Sequence, residues 1–323
     1  MCAVASRADS DTGDTKMRTA LPKVAVCLAA YNGVHWLAEQ IDSILAQQQA
    51  EITIFASVDA SSDGTESWFD VRTGADSRII ALPHGVHFGG AGRNFFRLLR
   101  EVDFEVFDYV CFADQDDIWQ PNKLEHACRR LDETNADAYS SNVMAFWPDG
   151  SCLLIDKSQP QQEWDFLFEA AGPGCTYVLR APLARALQNA VRSNEEIERY
   201  VALHDWFMYA FARAHGFRWM IDSYPSVLYR QHGSNQIGAN SGWLAAKRRL
   251  AKMFDGWWFD QAELIARFVG LENAPIVVHG LKGGRLGMLW LATKAWHCRR
   301  RFSEQLIFMA FCIVSSVLGR KPV

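Results

Sequence analysis

What most constrains the fold of this chain is where its apolar runs stop. Val24-Ala25-Val26-Cys27-Leu28 reads as a short buried strand after Pro22, ending in the turn signal Ala29-Ala30-Tyr31-Asn32-Gly33. Trp36, Leu37, Ile41, Ile44 and Leu45 then recur at helical spacing. A second strand is predicted over 52–58, ending at Asp59, with Ser61-Ser62-Asp63-Gly64 placed to cap a helix. A third is predicted over 78–81. The loop Gly89-Gly90-Ala91-Gly92 leads into a helix over 92–101. A fourth strand, over 109–113, ends in Asp114, and Pro121 suits the first turn of a helix carrying Leu124, Ala127, Cys128 and Leu131. Strands alternating with helices predict a mostly parallel sheet with right-handed crossovers.

That order places the chemistry. Ligands of open α/β sheets sit beyond the C-terminal ends of the strands. Here those ends carry Tyr31 and Asn32, then Asp59, then Asp114 to Asp117. The sequence has no GxGxxG, no GxxxxGK[ST] and no GxSxG, so a P-loop does not hold whatever binds there.

Composition narrows the class further. With 323 residues, 49% hydrophobic and 22% charged, the chain is globular, and its length suggests two domains or one with an extension. The net charge of −4 gives no general field for nucleic acid. Eight cysteines without a CxxC pair argue against a disulfide scaffold or a paired-cysteine zinc site and suit a reducing compartment. Residues 1–20 are small, polar and mixed in charge, so a disordered tail is expected rather than a secretory signal, with Met17 an alternative start. No apolar run approaches the roughly 20 residues that span a bilayer; the nearest, 306–314, has nine. There is no internal repeat.

Asp114-Gln115-Asp116-Asp117 packs three carboxylates into four residues after an apolar strand. Such a cluster repels itself unless a cation neutralises it, and Mg2+ or Mn2+, which prefer oxygen ligands and phosphates, suit it. A solvated acidic turn is the simpler alternative. Asp59 can accept from a pyrimidine N3–H or serve a helix start. Arg93, after the glycine-rich loop, can clamp a phosphate or form a surface ion pair. Asp205 lies in the apolar stretch around His204-Asp205-Trp206, where a carboxylate is costly unless functional or paired. It can be a general base or a helix cap. His232, in Tyr229-Arg230-Gln231-His232, can be a metal or phosphate ligand or a structural histidine.

Together these blocks resemble the inverting glycosyltransferases of family 2, which have the GT-A fold. The resemblance covers roughly residues 22–240. Val24 to Gly33 with Gln40, Ser43 and Gln47 is similar to the family's first strand and helix. Asp59 to Thr65 is similar to its second block. Phe112 to Leu124, with Pro121 and Lys123, is similar to the metal block and is the most specific match. His204-Asp205-Trp206 and Tyr229 to His232 resemble the later blocks of rhamnosyltransferase-like members.

The resemblance implies that Tyr31 and Asp59 contact the nucleobase. Asp116 would be the principal ligand of a Mn2+ or Mg2+ ion on the donor diphosphate, with Asp114 and His232 assisting. Asp205 would be the catalytic base, with Asn32, Arg93, Gly174, Cys175, His204 and Trp206 lining the substrates. Where the family usually has two acidic residues and a glycine, this chain has Val58-Asp59-Ala60, which bears on nucleotide preference. The implied reaction moves a sugar from a nucleotide-diphosphate donor, dTDP-rhamnose or a UDP-sugar, to a hydroxyl of a lipid-linked cell-surface glycan. A polyprenyl-phosphate sugar transferase shares this N-terminal domain. A non-catalytic scaffold fits the intact Asp114, Asp116 and Asp205 poorly. A sugar-nucleotide pyrophosphorylase would want a basic glycine-rich loop after the first strand, which Ala29-Ala30-Tyr31-Asn32 is not.

Residues 21–240 are thus expected to form the catalytic domain and 241–323 a helical extension. In the extension Lys247-Arg248-Arg249, Lys252, Arg299-Arg300-Arg301 and Arg320-Lys321 flank tryptophans and a short apolar helix. Cations beside tryptophan suit a membrane interface, so peripheral seating on the cytoplasmic face is expected, the alternative being a helix packed on the catalytic domain.

Overall fold

The computed structural model describes residues 20–232 and 256–318. The expected N-terminal tail, apart from Ala20, and the clusters Lys247-Arg248-Arg249, Lys252 and Arg320-Lys321 lie outside the described residues.

The first strand, β1 (Lys23–Ala30), is buried along nearly its whole length. Parallel neighbours flank it on both sides, β2 (Glu51–Val58) and β4 (Tyr109–Asp114), which is why its sequence is a continuous apolar run rather than an alternating one. Its side chains divide between two cores. Ala25, Cys27 and Ala29 join the larger cluster, while Val24, Val26, Leu28 and Ala30 join the smaller.

Helix α1 (Val34–Leu45) buries Leu37, Ile41 and Ile44 on the smaller cluster. Thr65–Ala75 forms α2 and Ile79–Ala81 forms β3, which pairs parallel with β2. Next comes α3 (Ala91–Glu101). Asp63 accepts from the Thr65 N–H at 3.0 Å at the entry to α2, as the capping signal predicts. Helix α4 (Lys123–Thr134) starts two residues after Pro121 and ends at Asn135 in a left-handed conformation.

The parallel order holds through β4. Beyond it the sheet is mixed, the order β3-β2-β1-β4 continuing with the strands over 178–180, 138–146, 219–230 and 118–119. Val178–Arg180 (β8) runs antiparallel to β4 and to Ala138–Phe146 (β6). Cys152–Ile155 (β7) is a hairpin partner of β6, and Trp219–Arg230 (β9) pairs with β6 in parallel. Ile118–Trp119 (β5) crosses back to pair antiparallel with β9. This half was irregular to sequence inspection because its strands are short or polar, as in Ser140-Ser141-Asn142.

The remaining helices are α5 (Ala181–Ser193), α6 (Glu195–Tyr200), α7 (His204–Ala214), α8 (Trp257–Phe268), α9 (Gly284–Thr293), α10 (Ala295–Cys298) and α11 (Phe302–Leu318). The helical expectation for the C-terminal region holds over 256–318, but its packing corrects the charge reading. Phe259, Ile265, Leu291, Phe308 and Phe311 belong to the same core as Phe95, Phe112 and Phe207. Arg300 is buried, not displayed. Its guanidinium lies 3.1 Å from Asp165 and 3.3 Å from Glu169. Arg299 pairs with Glu304 and donates to the Phe168 carbonyl. A run of three arginines looks like a surface patch in sequence; here two of the three turn inward because buried carboxylates await them.

Candidate active site

The acidic loop at the end of β4 is held from below by α1. Gln40, fully buried, donates to the Asp114 carbonyl at 2.6 Å. Ser43 Oγ accepts from the Trp119 N–H at 3.0 Å. Gln47 donates to the Gln120 carbonyl at 2.7 Å and accepts from the Leu124 N–H at 3.0 Å. Gln40 and Ser43, three apart on one face of α1, and Gln47 just past its C-terminal end therefore bind backbone groups in and after the loop.

Asp116 Oδ2 lies 2.7 Å from His232 Nε2, and the His232 ring stacks on Trp36 at 4.2 Å between centroids. Arg230 donates to the Asp116 carbonyl at 2.8 Å, and its backbone N–H donates to Asp117 Oδ1 at 3.1 Å. Asp114, Asp117 and Cys175 bring one potential ligand atom each within 4.8 Å of the others. Asp117 Oδ2 is buried without a hydrogen-bond partner. Burial, then Asp116 and Asp205, push Asp114 up to about 7. Burial, then Asp116 and Asp114, push Asp117 well above the carboxylate range. Crowded carboxylates with an orphaned oxygen fit a divalent cation, whose charge reverses such shifts. The set of Asp116, Asp114 and His232 offers oxygen and nitrogen donors. Burial raises Cys175 well above a free thiol, so it stays S–H and is a poor ligand for a hard ion.

Asp205 stands in the first turn of α7. Burial pushes it up to about 6, opposed by its bond from the Trp206 N–H (2.8 Å) and by the Lys157 ammonium. Gly174 lies against it: a Cβ there would come within 3.2 Å of Asp205 Cβ and 2.8 Å of His204 Nε2. His204 stacks on Phe95 at 4.0 Å, and burial drives it down to about 3, so its ring is neutral. Its Nε2 has no hydrogen-bond partner.

The family model described as Glycosyl transferase family 2 matches residues 25–151. Over 289 residues the chain is 40% identical to "dTDP-rhamnosyl transferase RfbG" of Shigella flexneri, covering 89% of this chain and 99% of that protein. The chain belongs to glycosyltransferase family 2. It is a glycosyltransferase. A second relative, "UDP-Glc:alpha-D-GlcNAc-diphosphoundecaprenol beta-1,3-glucosyltransferase WfgD" of Escherichia coli, is 34% identical over 51% of this chain and 62% of its own. Among solved structures, S. aureus TarS 1-349 superposes with a TM-score of 0.55 at 15% identity over 91% of this chain and 81% of TarS. That likeness bears on the fold, which is GT-A.

Several of the predicted site residues are held by protein contacts in the structure. Trp206 is buried, donates to the Phe166 carbonyl at 3.0 Å and stacks on Trp258, so it joins α7 to α8 instead of lining a pocket. Asn32 accepts from the Ser62 N–H at 2.8 Å and donates its own N–H to Ser61 Oγ, tying the β1 turn to the β2 turn. Asp59 accepts from the N–H groups of Ala60, Phe88 and Gly89 and lies 3.1 Å from His87 Nδ1, which makes it the anchor of the 86–90 loop. Arg93 reaches the carbonyls of Phe88 and Arg199. Tyr31 is 49% exposed and leaves a ring free to stack.

Gln115 was missed. Its amide accepts from the Tyr31 N–H at 2.7 Å and donates to the Tyr31 carbonyl at 2.9 Å. Arg230 and Trp36 were missed as well. None carries a sequence signal beyond its neighbours, because each acts through a contact distant in sequence.

Proposed function

We propose that this transferase moves rhamnose from a dTDP donor, with inversion, onto a hydroxyl of a lipid-diphosphate-linked glycan. The observation that carries the reading is the Asp205 carboxyl against Gly174, close enough to Asp114 for the two charges to act on each other. The likeness to RfbG supports the donor, and WfgD's printed acceptor supports the lipid diphosphate.

Asp116 and Asp114, with His232, would hold a Mn2+ or Mg2+ ion, which when bound neutralises charge on a departing diphosphate. Tyr31 stacks on the nucleobase, beside the Asp59-anchored loop. The acceptor oxygen forms its bond to the anomeric carbon as that carbon's bond to the diphosphate oxygen breaks, and Asp205 takes the acceptor's proton. The anomeric carbon passes through an oxocarbenium-like state.

The helical region supports peripheral contact with a membrane on its cytoplasmic face. Leu286 of α9 and Phe302, Ile307 and Val317 of α11 are exposed. No described helix is long and apolar enough to cross a membrane. The test is donor binding by dTDP-, UDP- and GDP-sugars with Mn2+ or Mg2+ and then with EDTA, followed by turnover of Asp205→Asn. That variant should bind donor normally and lose about 10²- to 10⁴-fold in turnover. Near-normal turnover would refute the assignment of the base.

A further inference from the structure

One cation near Asp205 is left unused by this chemistry. Lys157 follows β7, and its segment is fixed from several sides. Its N–H donates to Asn142 Oδ1 at 2.6 Å. The carbonyl of Asp156 accepts from Arg301 at 2.7 Å, and the Asp156 carboxylate accepts from the Ser158 N–H at 3.0 Å. The Lys157 stem runs along the loop that also presses on the base: its Cβ and Cγ would lie 3.6 and 3.8 Å from a Cβ on Gly172, two residues before the Gly174 that lies on Asp205.

The side chain is partly buried, and among the described residues its ammonium makes neither an ion pair nor a hydrogen bond. The neighbouring carboxylates are already taken. Glu304 pairs with Arg299, and Glu169 with Arg299 and Arg300. Burial lowers the Lys157 pKa, against the pull of Glu304 and Glu169, so an anionic partner would favour its charged form. Its charge bears on Asp205, whereas the charges that act on Asp114 are Asp116 and Asp205. Lys157 follows Asp156, whose carbonyl accepts from Arg301 one residue before α11, so its segment lies at the start of that helix.

We propose that Lys157 binds a phosphate of the acceptor, so that the transferase takes an acceptor whose diphosphate lies next to the sugar that is extended. The inference rests on the transferase reading and deepens it. The lipid source, rather than free phosphate, is favoured by α11. Glu304, whose charge acts on Lys157, shares that helix with Phe302 and Ile307, which are 68% and 53% exposed, so an alkyl chain leaving the phosphate meets an apolar surface.

The test fills the donor site with dTDP or UDP and Mn2+ and titrates undecyl diphosphate below its micelle concentration by calorimetry. The wild type should bind it. Lys157→Met and Lys157→Gln should weaken that binding by about ten- to a hundredfold, and Lys157→Arg should stay within about threefold, since it keeps the charge. Nucleotide affinity and melting temperature should not move. Equal affinity in the uncharged variants overturns the proposal. So does inorganic pyrophosphate binding as tightly as undecyl diphosphate, or undecyl diphosphate binding only when nucleotide is absent. If no nucleoside diphosphate binds with Mn2+, the transferase reading itself fails, and this inference with it.

Discussion

Gly33→Ala should damage the nucleotide end of the site through one identifiable clash. The backbone at Gly33 has φ −117° and ψ 6°, which alanine adopts without strain. The obstacle is Gln115: an added Cβ would lie 2.0 Å from its Oε1, 2.4 Å from its Cδ and 3.0 Å from its Nε2. The amide must swing away, and both of its bonds to Tyr31 are lost. Two neutral hydrogen bonds contribute about 1–3 kcal/mol together, and the lower half of that range applies because Tyr31 is half-exposed and water can replace them. Urea unfolding should therefore register a loss of about 1–2 kcal/mol. Donor KM should rise by about three- to tenfold as the Tyr31 ring loses its fixed position. A double-mutant cycle isolates the cause. Gln115→Ala alone should cost a similar amount, and Gly33→Ala in that background should cost less than about 0.5 kcal/mol. Additive losses would refute the argument, since they would mean that Gly33 acts through something other than Gln115.

The folded chain holds protons on Asp114 and Asp205 more tightly than the unfolded chain does, their pKa values being pushed up to about 7 and about 6. They thus stabilise the metal-free protein in acid, and that contribution is lost as pH rises from about 4 through those values. Thermal melts in EDTA should show it, and Mn2+ should raise Tm more at about pH 7.5 than at about pH 5; a pH-independent metal effect would contradict this. Because the base must be ionised, kcat/KM should fall below about pH 6. Arg300→Met leaves Asp165 with Arg213 and Tyr209 as its remaining partners, so urea unfolding should lose about 3 kcal/mol, the lower end for a broken buried pair.

The parallel half of the fold was legible because its strands are apolar and its ligand-facing ends are abruptly polar. Asp114, Asp116 and Asp205 stood out for the same reason: each is a carboxylate where the local pattern calls for an apolar residue or a cap. The antiparallel half was less legible. Its strands β6 and β9 carry buried serines satisfied across the sheet, such as Ser141 Oγ and Ser226 Oγ at 2.7 Å, and these erase the alternation on which strand reading depends. Trp206 turns toward α8, which sequence does not reveal, because a tryptophan beside His204-Asp205 reads the same whether it faces substrate or α8. Arg300 was misassigned because a run of cations does not record which way each side chain turns. Gln115, Arg230 and Lys157 gave no signal, since their partners are brought together only by the sheet.

The stacking of Trp206 on Trp258, with Phe259 on Phe311 behind it at 5.2 Å, has a consequence for synthesis. The turn that carries Asp205 rests on side chains translated long after it. While the ribosome is still making α8 and α11, the turn that carries Asp205 has no backing. Activity would then wait on the last helices, which complete the packing behind that turn.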